Sequence, residues 1–253
     1  MEPVSATRRS FHLQTMGSLL TFSLLETVFR YELLADEAKP LTAKWVADVH
    51  QLGLDLKGRK LEQLEWQKKI AELMARVDLA DLLKMIDFER LAAGAKLVDK
   101  GDRSLRFSFP KVEGLPTEFC YGKQIFALKK GCSVVPHGHN NMATAFLILQ
   151  GDLRGRHYDR LQDEPEHMII RPTLDREFRP GECSTVSDFK DNVHWFQALT
   201  EPAFIFNLHL LGVRPGSPLR TGRIYVDPQG EKLSDGSIRA RVIDFKTANE
   251  LYG

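Results

Sequence analysis

After Gly94 the chain breaks into short runs rich in Val, Ile, Phe and Leu, at residues 105–109, 118–121, 124–128, 145–149, 167–171, 195–199 and 203–211, with Pro, Gly and Asp between them. Strands this short cannot bury their own faces or edges, so a succession of them at regular spacing predicts a β sandwich or a barrel. Pro180-Gly181 and Asp227-Pro228-Gln229-Gly230 read as turns between strands. Residues 244–252 read as one short terminal helix. Ahead of Gly94, residues 42–93 have a helical period instead. Trp66, Ile70, Leu73, Met74 and Val77 recur at spacings of three and four, which makes one apolar stripe on a charged helix. That stripe reads as core packing. Gly53 and Gly58 punctuate the helical stretch, and Asp78 and Asp87 stand where N-caps of short following helices belong. No internal repeat or low-complexity tract interrupts this order. The chain is thus read as segment 1–35, a helical extension over 36–100, and a mainly β barrel with a C-terminal tail over 101–253.

A chain of 253 residues has ample material for one large core. Its 35 Lys and Arg and 34 Asp and Glu nearly cancel, and no basic run makes a local exception, so nothing attracts nucleic acid. Small molecules or peptides are the expected partners. Cys120, Cys132 and Cys183 are odd in number and widely spaced, which fits neither a CxxC metal motif nor a disulfide framework. At the N-terminus, Arg8-Arg9 precede a mostly apolar run from Met16 to Phe29, the pattern of a twin-arginine export signal, though Glu26 interrupts the run. The expected location is therefore periplasmic or exported, and cytoplasmic if translation starts downstream at Met16. No other segment approaches the length of a membrane span.

The chemistry begins at Gly131 to Asp159, where His137 and His139 stand two apart in a strand-like run. Alternate side chains of a strand share a face, so both imidazoles can converge on one point. His194 supplies a third imidazole from a second strand-like run. Three neutral imidazoles suit Fe(II), Ni(II), Cu(II) or Zn(II), and leave positions open for water, substrate or O2. His12, His50, His157 and His167 fit no such constellation.

Gly131, then His137-Gly138-His139, then Gly151, resembles the first motif of the cupin superfamily. Thr144 stands where that motif has a glutamate ligand. Pro180-Gly181 and His194 are similar to part of the second motif, with Ala198 at its usual asparagine position. The resemblance implies a cupin-type double-stranded β-helix, or jelly-roll barrel, and loss of the carboxylate points to three-histidine dioxygenases. Within these, His137-Gly-His139-Asn-Asn-Met142, Gly151 and Tyr158-Asp159 look like the plant cysteine oxidase and 2-aminoethanethiol dioxygenase family. So does Asn192-Val-His194-Trp-Phe196-Gln-Ala198-Leu-Thr200 followed by Pro202. The likeness covers residues 121–211. It departs from the family at the inserted Glu201, at Asn207 where the family has an aspartate, and in lacking the Pro-Pro-Tyr tail.

The resemblance implies an Fe(II)-dependent thiol dioxygenase, with iron on His137, His139 and His194, that uses O2 to oxidise a small thiol or an N-terminal cysteine. It places Tyr158 beside the metal pocket, and His209 at an offset where the cysteine dioxygenase branch has a supporting histidine. Asn207 can hydrogen-bond there but cannot act as a base. Arg154 and Arg156 share a strand face and are candidates to fork onto a substrate carboxylate. Two other readings accompany this one: a dioxygenase cleaving a carbon-carbon bond of a diketone, and a cupin that binds a metal or small ligand without catalysis.

Overall fold

The computed structural model describes residues 42–112 and 115–253. The segment read as an export signal, with Arg8, Arg9, His12 and Met16, lies outside the described residues. Four helices come first: α1 (residues 42–57), α2 (Gln63–Met74), α3 (Leu79–Met85) and α4 (Phe88–Ala93). The strands are β1 (Arg103–Leu105), β2 (Gly122–Leu128), β3 (Ser133–Asn140), β4 (Met142–Gln150), β5 (Leu153–Asp163) and β6 (His167–Phe178). They continue as β7 (Cys183–Val186), β8 (Val193–Ala198), β9 (Ala203–Leu211), β10 (Gly222–Lys232) and β11 (Ile238–Ile243), and α5 (Phe245–Tyr252) follows.

One antiparallel sheet has the order β1-β2-β9-β4-β7. The second, β3-β8-β5-β6, is continued by β11 and β10 until β10 pairs back onto β3, closing a six-stranded barrel. From β2 to β9 the chain changes sheet at each connection except the β5–β6 hairpin. The sheet orders β2-β9-β4-β7 and β3-β8-β5-β6 are those of a jelly roll. The molecule is therefore mainly β, a double-stranded β-helix with an α-helical extension ahead of it.

The helices explain why β4 reads as a continuous apolar run. Its outward residues Ala143, Ala145, Leu147 and Leu149 join Phe204, Phe206, Leu208 and Leu210 of β9 in a core shared with Trp45, Trp66, Ile70 and Met74 of α1 and α2. Its inward residues Phe146 and Ile148 pack between the two sheets with Phe126, Phe178 and Phe196. A sheet covered on both faces has no wet side, so alternation disappears. Buried polar groups fix the docking of α2: Gln67 accepts from Ser187 Oγ at 2.6 Å and donates to the Thr185 carbonyl at 3.1 Å. A third small core, with Tyr158, Met168, Ile170, Val193 and Val226, fills the closed six-stranded ring on the other side of β5, β6 and β8.

Several local expectations are corrected. Asp78 does cap α3, accepting from the Asp81 N–H at 3.0 Å. Asp87 adopts a left-handed conformation, makes no cap bond, and pairs with Arg90 instead. Residues 106–109 and 118–121 are not strands. Phe107, Phe109 and Phe119 gather around Lys123, whose Nζ lies 5.1 to 5.7 Å from the three ring centres, so their apolar content serves loop packing. The stretch from Asp227 to Gly230 is no turn but an irregularity inside β10, where the register against β11 slips between Asp227 and Glu231. Pro228 is tolerated there because an interrupted ladder needs no N–H from it.

The side chain of Trp66 is wholly buried between α2 and the first sheet, whereas Asp78 caps a short exposed helix. Trp66→Ala should cost about 3–5 kcal/mol and Asp78→Ala about 1 kcal/mol, as measured by urea unfolding of the full chain.

Candidate metal centre

Strand β3 reaches the barrel interior by a bulge. Val134 pairs with Phe196 and His137 with His194, so three steps along β3 oppose two along β8. The extra residue switches which alternate positions face inward. Val134 points into the space between the sheets, and after the bulge at Val135-Pro136 so do His137 and His139. Gly138, between them, faces the other way. A Cβ on it would lie 2.9 Å from Asn192 Oδ1, and this bare backbone lets Asn192 clamp the strand. Asn192 Oδ1 accepts from the His139 N–H at 3.2 Å, while Nδ2 donates to the carbonyls of His139 at 2.8 Å and Ser187 at 2.9 Å.

The three imidazoles His137, His139 and His194 are all buried, and one nitrogen of each lies within 4.8 Å of the others. Ring centres are 4.2 Å apart for His137 and His194, 4.8 Å for His139 and His194, and 5.2 Å for His137 and His139. His137 donates from Nδ1 to the Val135 carbonyl at 2.8 Å, which leaves Nε2 as its lone-pair nitrogen. His139 Nδ1 lies 3.3 Å from Thr144 Oγ1, so its Nε2 too is free for a ligand. Buried nitrogens of His137 (Nε2) and His194 (both) have no hydrogen-bond partner. Buried polar atoms are normally paired, and orphaned nitrogens on two of three converging rings are what a divalent cation satisfies. The residues present therefore fit a metal ion.

Thr144 occupies the position expected to carry a glutamate ligand. Its hydroxyl holds the His139 ring. Thr144 lies opposite His209 in the β4–β9 ladder, and Asn207 opposite Gln124 in the β2–β9 ladder, which places all four on the inner face of the first sheet. Asn207 Nδ2 donates to His209 Nδ1 at 3.2 Å. His209 Nε2 rests on Gly122, where a Cβ would come within 2.2 Å. Together with Met142, Phe146, Leu211 and Arg223 these residues line a cavity of about 420 Å³ that includes His139 and His194 in its wall.

Of the residues selected from sequence, His139, His194, Asn207 and His209 line this cavity, and His137 joins His139 and His194 in the imidazole cluster. Tyr158 does neither. On β5 the inward positions are Leu153, Gly155 and His157, so Tyr158 projects to the opposite face, among Met168, Ile170 and Val193. Arg154 and Arg156 share that outer face: Arg154 forks onto Asp175, with Nε at 2.6 Å, and Arg156 lies over the Trp195 ring at 4.3 Å. Neither reaches the cavity. His157, set aside in the sequence, is instead wholly buried and stands directly across from His194. Its ring centre is 6.3 Å from that of His194, and its Nε2 contacts Ser184 Oγ at 3.2 Å. The inward alternation from Leu153 is the cue that would have found it. Arg223 and Gln124 were also missed, and no local motif marks them.

Burial keeps these imidazoles neutral. Desolvation, helped by the positive charge of Arg223 and by His209, pushes His139 down to about 3. Burial and Arg176 bring His157 down to about 3. His137 and His194 are driven well below the usual histidine range, first by desolvation and then by neighbouring charges that include Arg223 and the other imidazoles. Burial and Arg223 also lower His209. Neutral imidazole is the metal-binding form.

No family model matches the chain, and no curated protein matches it. Solved structures do overlap with it. TT1209 from Thermus thermophilus is 14% identical over 49% of this chain and 94% of its own, with a TM-score of 0.34. A cupin superfamily protein from Desulfitobacterium hafniense is 15% identical over 48% of this chain and 87% of its own, with a TM-score of 0.31. Against the 11S globulin of Wrightia tinctoria, 13% identical with a TM-score of 0.31, the overlap takes in 42% of this chain and 22% of the globulin.

Two measurements check the centre. The purified chain should take up one equivalent of Fe(II), Co(II) or Zn(II). His194→Ala should lose that binding, and Thr144→Val should weaken it about tenfold in a chelator competition, because the His139 ring loses its orienting partner. The second concerns pH. His139 and His157 bind protons near 3 when folded and near 6.5 when unfolded, so the unfolded state holds more protons between those values. Stability of the metal-free chain is then fully present above about pH 6.5 and falls as pH drops toward 3, by roughly 1–3 kcal/mol per pH unit. Urea midpoints at pH 7.5, 6 and 5 should decline in that order, and His157→Leu should flatten the decline.

Proposed function

We propose that this chain is an Fe(II)-dependent thiol dioxygenase, converting a thiol and O2 to a sulfinate. The observation that carries the proposal is the cluster of three buried, neutral imidazoles, two of them with unpartnered nitrogens, with Thr144, not a carboxylate, beside it. His137, His139 and His194 would hold the iron, which would supply redox chemistry between a thiolate and O2, with the sulfur bringing the negative charge that the protein ligands lack. The reaction balances with no further reactant, since RSH plus O2 gives RSO2H, both oxygen atoms joining sulfur.

The chain's own residues do the positioning. The Val135 carbonyl and Thr144 hydroxyl set the rings of His137 and His139. Phe146, 5.0 Å from His194 between ring centres, closes the inner side of the site against water. Asn207 and His209 form a hydrogen-bonded pair on the facing sheet, where they can steady a bound ligand. Asn207 offers an amide and no base, so it could orient a bound ligand by hydrogen bonding but could not take a proton from it. Export by a twin-arginine route, read from Arg8-Arg9 and the apolar run that follows, belongs to the same proposal, and N-terminal sequencing of the native protein checks it.

Oxygen uptake by the Fe(II)-loaded chain should appear with at least one of cysteine, cysteamine, 3-mercaptopropionate and a Cys-initiated peptide, and not with acetylacetone. Isotopically labelled O2 should place both its atoms in the sulfinate. His194→Ala should reduce uptake to background. Full iron occupancy with no uptake on any of the thiols would overturn the assignment.

A further inference from the structure

The cavity beside the three histidines has no acidic side chain in its wall, yet it carries a guanidinium. Its polar lining consists of imidazoles, amides, threonine hydroxyls and Arg223. Arg223 enters on β10 directly opposite His139 in the β10–β3 ladder. Its guanidinium carbon lies 5.8 Å from the centre of the Phe126 ring, while the side chain stays open to solvent at the cavity mouth. Among the described residues no carboxylate forms an ion pair with it. Asp102 does feel its charge, but burial of that acid outweighs it and works toward the neutral form.

The segment leading to Arg223 is held in place. Asn141, in a left-handed conformation, accepts from the Arg214 N–H through Oδ1 at 2.6 Å and donates from Nδ2 to Thr221 Oγ1 at 2.9 Å. Both ends of the loop before β10 are thus tied to the turn after His139. On the facing sheet, Gln124 Oε1 is taken by Ser104 Oγ at 2.7 Å, so the side of Gln124 left for the cavity is its amide N–H donors. A guanidinium carried on this tied segment and an amide donor on the wall of a cavity without anions make a receptor for a carboxylate.

We propose that this site takes a dianionic small substrate, with one anionic atom bound at the metal and a carboxylate held by Arg223. The inference rests on the metal-site reading and not on sulfur being the metal-bound atom. The charge count leads to it. A divalent ion on three neutral ligands plus one guanidinium leaves three positive charges in a cavity that supplies none of the opposite sign. A ligand carrying an ammonium group would bring a fourth positive charge with no partner in the cavity wall, and juxtaposed like charges repel. Cysteamine and a peptide N-terminus are disfavoured on that ground, and a mercaptocarboxylate or a diketo acid is favoured. The roles expected of Arg154 and Arg156, which lie on the wrong face, fall to Arg223.

The test uses the Co(II)-loaded full chain, with binding read from the visible absorption of the metal, so that turnover is not required. Three thiols of similar size differ only in tail charge: 3-mercaptopropionate, ethanethiol and cysteamine. The wild type should bind them in that order, the first at least about tenfold more tightly than the second. Arg223→Gln should erase the preference for mercaptopropionate over ethanethiol in the Co(II)-loaded variant, and Arg223→Lys should restore part of it. A second pair, 2,4-dioxopentanoate against acetylacetone, asks the same question of enolates. Carboxylate preference in the enolate pair alone would sink the thiol reading and support the dianion. Equal binding within both series, or a preference that survives Arg223→Gln, overturns the dianion and leaves the metal site standing. Failure of the chain to take up Co(II) overturns both.

Discussion

The site depends on one irregularity, the bulge that sets three steps of β3 against two of β8. Without it, the alternation that sends Val134 inward would send Pro136 and Gly138 inward and the two histidines out. Proline belongs at such a place, because a bulge leaves an N–H unused and Pro136 has none to offer. The same irregularity leaves the Val135 carbonyl to accept from His137 Nδ1, which fixes the tautomer that points a lone pair into the barrel. Inverting the strand and choosing the tautomer are thus one local event. Asn192 then locks it by bonding both sides of the His139 backbone across the bare face of Gly138.

The surrounding fold makes that local event rigid. Helices α1 and α2 cover the outer face of β2, β9 and β4, so the strands that carry Gln124, Asn207, His209 and Thr144 are packed on both sides. The second sheet is closed through β10 and β11 into a ring with its own small core. His194 lies in the middle of that sheet, flanked across the ladders by His137 and His157. A row of three buried imidazoles tolerates no protons, because each charged ring would sit in an apolar wall beside its neighbours. Two members of the row, His137 and His194, are thereby kept as neutral ligands that with His139 could hold a cation.

Much of this was legible in the sequence. Period-two spacing puts His137 and His139 on one face whichever face it is, and a helical period separates the extension from the barrel. The inward turn of the pair was carried by Pro136, a proline in the middle of an apolar run. Tyr158 shows where likeness misleads: the strand alternation from Leu153 through Gly155 to His157 excludes it from the interior, and a motif match does not carry that parity. Arg223 was invisible for another reason. Its position is set by a ladder between β10 and β3, distant in the chain, and the Asp-Pro-Gln-Gly stretch inside β10 has the composition of a turn. Pairings of that range leave no local pattern to read.

Thr144 connects the local chemistry to what the cavity can accept. A carboxylate there would cancel one charge of the bound ion inside the protein, and neutral ligands could then share the remaining positions without penalty. With a hydroxyl instead, which serves only to hold His139, the compensating charge must come from outside. Each unbalanced charge in a cavity walled by Phe146, Met142 and Leu211 costs more than it would in water, since the surroundings screen it poorly. Arg223 extends the same logic from the metal to the mouth of the cavity, where a second negative group on the ligand meets a guanidinium that no carboxylate among the described residues has claimed.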